Sequence, residues 1–416
     1  MEKTLAMILA GGKGKRMDIL CQVRPKPILP FGGRFRVIDF TLSNCVHSEV
    51  EEIAVITNHQ RTRMLEYLKK WSKNNGGFNK LSILEPHSTL YKGTADAIYQ
   101  NLPYLKDSRA HDVLVLAADH IYTMDYRQML DFHRKVQADV TLGVIEVPIE
   151  EASRFGIIKA DHENRVIDYI EKPEIPQNNI ASMGIYIFNK EILIKRLEEY
   201  GSSKNSLHDL TYTIIPEMLK KDRFFVYDFN GYWRDIGSIE AFYKANMEII
   251  NLQEDLVLDK KWPILTGEQI PLQPVSLQDE KIVNSIISPG CVIKGRVENS
   301  VLSPGVRIDE EAEVRNSVLM TEVTVGNHSI IEHGILDKQV SIGRFSYIGY
   351  GSSLLEDPAI TILGKGAIIP SGTAIGRNCK ILPDIRPEDF TMSVVPSGSI
   401  VKRDSGSKEN QVYELV

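Results

Sequence analysis

The residues of this chain best suited to chemistry stand at the ends of apolar runs. Leu5-Ala-Met-Ile-Leu-Ala10 stops at Gly11-Gly12-Lys13-Gly14-Lys15-Arg16. Glycines at 11, 12 and 14 let backbone N–H groups come close to an anion, and Lys13, Lys15 and Arg16 add positive charge. Such a loop fits a polyphosphate. A Walker A loop needs Ser or Thr after Gly-Lys, where Arg16 stands, and a dinucleotide fingerprint needs a third glycine where Met17 stands. Ten residues beyond Arg16, Lys26 lies in Arg24-Pro25-Lys26-Pro27, whose prolines stiffen the backbone that carries it. The bland alternative is a glycine-rich turn with solvated charges. An arginine and a proline-flanked lysine behind the glycines favour the phosphate site.

Two carboxylates are placed like metal ligands. Val113-Leu-Val-Leu-Ala-Ala118 has the pattern of a buried strand and runs into Asp119, at the kind of strand end where open α/β sheets bind ligands. Asp125 is the better N-cap for the helical stretch that follows, which leaves Asp119 for other work. The second acid, Asp235, lies in Tyr232-Trp-Arg-Asp-Ile-Gly237, ahead of Ser238, the natural cap of a helix over 239–250. Each acid alone is as readily structural as functional, and the pair gains weight only if the fold joins them.

Elements that position these residues alternate up to about residue 250. Strands are expected at 4–10, 52–57, 112–118, 139–147 and 183–188, rich in Val, Ile and Leu, which suits a mainly parallel sheet buried on both faces. Helical spacing at 60–70, 94–105, 126–137 and 189–199 makes this an α/β layered domain. Asn75-Gly76-Gly77, Pro148 and Glu171-Lys172-Pro173 mark loops. Beyond residue 280 a repeat takes over: Asn284-Ser-Ile-Ile-Ser-Pro-Gly290 returns as Asn299-Ser-Val-Leu-Ser-Pro-Gly305, then as Asn316-Ser-Val-Leu319 and, degenerately, His333-Gly-Ile-Leu336. The steps 299 to 316 and 316 to 333 are both 17 residues. Val301, Val306, Ala312, Val318, Val323, Ser329 and Ile335 follow each other at five or six residues, as expected for the inward positions of a triangular parallel β-helix. The expected division is 1–250 catalytic, 251–281 linker, 282–401 β-helix and 402–416 tail.

Composition narrows the class further. With 49 Lys+Arg against 55 Asp+Glu the formal net charge is −6, which argues against nucleic acid as the main partner. No apolar run approaches the roughly 20 residues of a membrane span. Met1-Glu2-Lys3 leads straight into the first apolar run, so no signal peptide is expected. Cys21, Cys45, Cys291 and Cys379 are scattered and fit reduced thiols in a cytoplasmic protein.

These segments, in this order, resemble the sugar-nucleotide pyrophosphorylases, most closely the bacterial ADP-glucose pyrophosphorylase family. The marks are Phe31-Gly-Gly-Arg-Phe-Arg-Val-Ile-Asp-Phe-Thr-Leu-Ser-Asn44, Gly93-Thr-Ala-Asp-Ala97, Asp119-His-Ile-Tyr122, Glu150-Glu-Ala-Ser-Arg-Phe-Gly156, Glu171-Lys-Pro173, Ala181-Ser-Met-Gly-Ile-Tyr186 and Tyr232-Trp-Arg-Asp-Ile-Gly237. The resemblance implies a Rossmann-like nucleotidyltransferase domain followed by a left-handed parallel β-helix of hexapeptide repeats. It implies the Mg²⁺-dependent reaction of ATP with glucose 1-phosphate to ADP-glucose and pyrophosphate, serving glycogen or α-glucan synthesis. Asp119 and Asp235 would hold the metal, Gly11, Gly12, Gly14, Arg16 and Gly93 would bind ATP, and Lys26 would offset charge near the leaving pyrophosphate. Tyr91, Gly156, Glu171, Lys172, Ser182 and Asp209 match glucose 1-phosphate positions. Arg24 and Arg36 match arginines of an effector site, whereas Val23 stands in place of the lysine that binds fructose 1,6-bisphosphate in enterobacterial members. A homotetramer, or a heterotetramer with a related subunit, is implied.

Ser206-Leu-His-Asp-Leu-Thr-Tyr-Thr213 departs from the family's segment by losing its Phe and Gly-Lys-Asp while keeping Asp209. Three alternatives therefore stay open: a non-catalytic regulatory subunit, a nucleotidyltransferase for another nucleotide or sugar phosphate, and an acyltransferase using His328 or His333 of the β-helix.

Overall fold

A computed structural model describes residues 3–12, 14–58, 61–75, 81–86, 89–201, 208–252, 259–268, 281–351, 359–403 and 414–415. Lys13, Gly76-Gly77, Ser206-Leu207, much of 251–281 and most of the tail lie outside the described residues. The chain forms two compact units, one of residues 1–13 and 37–235, the other of 14–36 and 236–416. Segment 14–36 and the helix Ile239–Asn251 thus group with the C-terminal repeats, a partition that a linear division at 250 and 281 does not draw.

In the first unit Thr4–Leu9 is the central strand, hydrogen-bonded in parallel to Glu52–Ile56 on one side and Asp112–Ala117 on the other. Leu5, Ala6, Met7 and Ile8 are fully buried, as a strand covered on both faces requires. Leu81–Leu84 extends the sheet in parallel beyond Glu52–Ile56. Strand order therefore reverses direction across Thr4–Leu9, and the crevice at the C-terminal ends of Thr4–Leu9 and Asp112–Ala117 is a topological switch point. On the far side Ile180–Asn189 runs antiparallel to Asp112–Ala117 and joins Val140–Glu146, Gly156–Ala160, Val166–Glu171 and Phe224–Asp228 to the same sheet.

Helices lie at Arg61–Asn74, Tyr126–Lys135 and Lys190–Gly201, close to their expected spans. The stretch 94–105 divides into Thr94–Gln100 and Leu102–Asp107, with Pro103 in the first turn of the second, where its missing N–H costs nothing. Asp125 caps Tyr126–Lys135 by accepting from the Arg127 N–H at 3.0 Å, and Ser238 caps Ile239–Asn251 through the Ala241 N–H at 3.2 Å. Two further helices lie outside the expected spans. Val37–His47 is buried along most of its length, including Asp39, Thr41, Ser43 and Asn44, and Leu210–Lys221 contains Pro216.

In the second unit, the described residues between 282 and 401 wind into three parallel sheets, the sides of a β-helix. Val297, Val314, Ile331 and Ile348 stack in register at the 17-residue period. The repeated Asn-Ser pair is a coil corner. Asn284, Asn299 and Asn316 adopt positive φ, and their amides form a ladder, Asn284 to Asn299 at 3.3 Å and Asn299 to Asn316 at 2.6 Å. Each following serine accepts the N–H of the next coil, Ser300 from Ser317 at 3.1 Å and Ser317 from Gly334 at 3.0 Å. One expectation shifts by a residue. The coil interior holds Leu302, Leu319 and Leu336, whereas Val301, Val318 and Ile335 are buried on the opposite face of those strands. The helix Ile239–Asn251 packs over that face at Val301–Leu302, which is why both residues of the strand are apolar.

Candidate active site

A cavity of about 570 Å³ opens at the switch point of the first unit. Gly11 and Gly12 line it from the end of Thr4–Leu9, and Asp119 lines it from beyond Asp112–Ala117. Asp235 arrives from 116 residues away through a short antiparallel pair, in which it faces His120 while Trp233 faces Tyr122. The fold thus joins the two expected acids. Asp119, His120 and Asp235 each offer one ligand atom within 4.8 Å of the others, and His120 Nε2 lies 3.7 Å from Asp119 Oδ1 and 3.8 Å from Asp235 Oδ1. A carboxylate from a strand end and one from a second strand, open to a cavity, suit Mg²⁺, which takes its remaining ligands from phosphates and water. His120 is edge-on to Trp233 at 5.1 Å, and its buried Nδ1 has no hydrogen-bond partner among the described residues.

The helix Val37–His47 sets this segment in place. Thr41 Oγ1 donates to the Ala117 carbonyl at 3.0 Å, and Asn44 Nδ2 donates to the Tyr122 carbonyl at 3.2 Å. Asn44 Oδ1 accepts the Met124 N–H at 3.1 Å, and the Tyr67 hydroxyl donates to Asp39 at 2.5 Å. The Thr-Leu-Ser-Asn motif is therefore a clamp on the backbone either side of Asp119, a role that only the fold reveals.

The expected sugar-phosphate residues meet in the same cavity: Tyr91, Gly156, Glu171, Lys172, Ser182 and Asp209 all line it. Gly156 pairs with Glu171 across two antiparallel strands, and a Cβ there would run into the Tyr169 hydroxyl. That hydroxyl donates to Glu171 at 2.6 Å, and burial with Tyr186 and Glu171 beside it pushes its pKa far up. Lys172 Nζ lies 3.2 Å from the other Glu171 oxygen. Ser182 sits at a bulge where Gly184 takes φ 67°, which turns the strand and brings the serine to the cavity. Tyr91 is held through its backbone by Asn58, twice at 3.1 Å, and through its hydroxyl by Asn101 at 2.9 Å. Asp209 accepts the Thr94 N–H at 3.0 Å, so it fixes the start of the helix at Gly93 as well as lining the cavity.

Asn58, Arg154, Phe155 and Trp233 also line the cavity and were not singled out by the sequence. Only the Phe-Gly and Trp-Arg-Asp contexts pointed near the last three.

Gly14, Arg16 and Lys26 belong to the second unit. Gly14 takes φ 62° and packs on Cys21, leaving no space for a side chain. Arg16 is exposed in the turn Lys15–Met17, while Lys26 is buried at the start of Lys26–Ile28. Burial raises the Cys21 thiol to about 11, against the pull of Lys26 and Arg24. Arg24 is paired with Asp337 at 2.9 Å and Arg36 with Glu268, so both expected effector arginines face carboxylates of their own chain. Lys338 beside them is pushed down to about 7 by burial and by Arg36. In the β-helix, His333 is half-buried against the Tyr243 hydroxyl at 3.1 Å, and His328 is exposed and stacks on the exposed Phe345 ring.

A family model for nucleotidyl transferases matches residues 5–251, and one for the GlmU-like C-terminal hexapeptide region matches 273–357. Proteins named glucose-1-phosphate adenylyltransferase are similar over nearly the whole chain. The one from Thermotoga maritima is 43% identical, covering 96% of this chain and 99% of its own length. That of Acetivibrio thermocellus is 38% identical over 96% and 98%, and that of Geobacillus stearothermophilus 43% over 76% and 84%. Among the described residues no helix is long and apolar enough to cross a membrane.

Proposed function

The chain belongs to the nucleotidyl transferase family, among the glucose-1-phosphate adenylyltransferases, and on that premise we propose that it transfers the adenylyl group of ATP to α-D-glucose 1-phosphate. The observation that carries the reading is the single cavity at the switch point, where Gly11 and Gly12, the Asp119–Asp235 pair and the Tyr91, Glu171, Lys172 corner meet.

An oxygen of the sugar phosphate attacks the α-phosphorus of ATP, a P–O bond forms, and the bond to the β-phosphate breaks. Pyrophosphate leaves with the electron pair. The attacking oxygen is already ionised, so no general base is required, and catalysis is positioning plus offset of negative charge. Gly11 and Gly12 present backbone to the nucleotide phosphates. Asp119 and Asp235 would hold Mg²⁺, which would neutralise phosphate charge between the two substrates. Lys172, with Glu171 fixing its direction, receives the sugar phosphate, and Ser182 and Asp209 border the sugar.

Pyrophosphate release by the purified chain with Mg²⁺ and glucose 1-phosphate, offered ATP, UTP, GTP and dTTP separately, tests this. Turnover with ATP above the other three is expected. Turnover with another nucleotide alone moves the enzyme to a different sugar nucleotide, and silence with all four overturns the proposal. A cytoplasmic homotetramer serving glycogen or α-glucan synthesis is expected, with light scattering as the test of assembly.

A further inference from the structure

The charge around the cavity does not balance. Four carboxylates line it against the three cations Lys92, Arg154 and Lys172. Both substrates of the proposed reaction are anions, so each cation aimed at them matters. Lys172 has part of its charge offset by Glu171 at 3.2 Å, so a second cation is wanted beside it. The Arg154 guanidinium makes no hydrogen bond or ion pair with any described residue, and it rests 5.7 Å above the ring of Phe155.

The backbone that carries Arg154 is held by four ties. The turn Ile149–Arg154 closes through the Phe155 N–H to the Ala152 carbonyl at 3.1 Å, with Ala152 fully buried beneath it. Glu151 pairs with Arg234 at 3.3 Å, and Phe155 meets Trp233 edge-on at 5.3 Å, so the turn is fastened to the strand that carries Asp235. The Phe155 carbonyl accepts the Lys172 N–H at 3.0 Å. The turn that ends at Arg154 is therefore anchored both to the strand of the metal-binding acid and to the lysine of the sugar-phosphate corner.

Resting on the reaction proposed above, we propose that Arg154 binds the phosphate monoester of the sugar substrate together with Lys172. A planar guanidinium fork matches two phosphate oxygens, and the Phe155 ring orients it without using any of its donors. Its partner is the substrate, which is why the described residues supply none.

The test compares wild-type, Arg154→Ala and Arg154→Lys in the full chain. Steady-state kinetics with each substrate varied, and calorimetric titration of glucose 1-phosphate alone, are the readouts. Arg154→Ala is expected to raise KM for glucose 1-phosphate about 10- to 100-fold, the worth of a charge-assisted hydrogen bond, and to weaken its direct binding in parallel. KM for ATP should move less than about twofold, and Arg154→Lys should recover part of the loss because it keeps the charge without the fork. Unchanged KM and binding for glucose 1-phosphate overturn the proposal, as does an equal loss for ATP. A wild-type chain that turns over a different sugar phosphate refutes the choice of glucose 1-phosphate, and the same comparison then decides Arg154 with that substrate. A wild-type chain that neither turns over nor binds any sugar phosphate overturns both.

Discussion

Replacing Gly93 by alanine isolates how the cavity wall is held. Gly93 has φ −179° and ψ −172°, extended backbone open to any residue, so the substitution meets no backbone strain. Space is the obstacle. A Cβ at 93 would lie 2.5 Å from the carbonyl carbon and oxygen of His208 and 2.7 Å from Asp209 Oδ1. Two of these are main-chain atoms, which no rotamer change removes. Restoring ordinary contact near 3.5 Å requires the chain at 208–209 to retreat by about 1 Å. Five hydrogen bonds depend on that approach: Ala95 N–H and Asp96 N–H to His208 O at 2.9 and 3.3 Å, Thr94 N–H and Oγ1 to Asp209 at 3.0 and 3.3 Å, and Leu210 N–H to Thr94 Oγ1 at 2.8 Å. They satisfy the first turns of two helices that have few other partners for those groups. Weakening most of them at ~0.5–1.5 kcal/mol each costs about 2–4 kcal/mol, which lowers the melting midpoint by several degrees. Because Asp209, Leu210 and Thr211 line the cavity, a shift of about 1 Å there should also cut turnover roughly 100-fold. Gly12→Ala is the contrast, since a Cβ at 12 meets nothing within 4 Å. That variant should melt like wild-type and raise KM for ATP, because only a ligand comes close to it. Thermal melting followed by circular dichroism, with steady-state kinetics on both variants, reads the two effects. A Gly93→Ala chain with wild-type melting and kinetics refutes the steric reasoning.

Asp119→Asn should leave the melting curve intact, lower turnover by orders of magnitude and abolish Mn²⁺ binding measured by electron paramagnetic resonance; normal turnover would remove the acid from the metal site. In the β-helix, Leu319→Ala empties a fully buried interior position between Leu302 and Leu336 and should cost about 2–5 kcal/mol in urea unfolding. His133 is buried against Thr141 Oγ1 at 2.8 Å, and burial lowers its pKa from 6.5 to about 4. The unfolded chain therefore binds more protons there between those values, so stability should fall as pH drops through about 6.5 to 4. His133→Asn should flatten that part of the acid limb, and an unchanged slope would assign the acid sensitivity to other groups.

Much of the molecule is legible in local pattern. The 17-residue repeat of the C-terminal half follows from the chain alone, because each coil must meet its neighbour in register and Asn-Ser supplies the same corner each time. The strands Thr4–Leu9 and Asp112–Ala117 and the caps Asp125 and Ser238 are local matters as well, decided by apolar runs and by which side chain reaches a free helix N–H. Other features depend on what lies opposite. The helix Val37–His47 has no polar face because it is surrounded, and its Thr and Asn satisfy backbone groups some 80 residues away, a pairing with no sequence period. Likewise the choice of Leu302 over Val301 for the coil interior is hidden by the helix that packs on that strand, since a strand buried on both sides shows apolar residues at every position. The types of chemistry were set by the sequence itself: glycines for a close anion approach, and acids at strand ends. Tertiary structure decided that Asp119 and Asp235 face one cavity and that Gly93 has no space for a methyl group. It also placed Arg154 beside that cavity with no side-chain ion pair among the described residues, because distances between residues remote along the chain are products of packing and leave no mark on local composition.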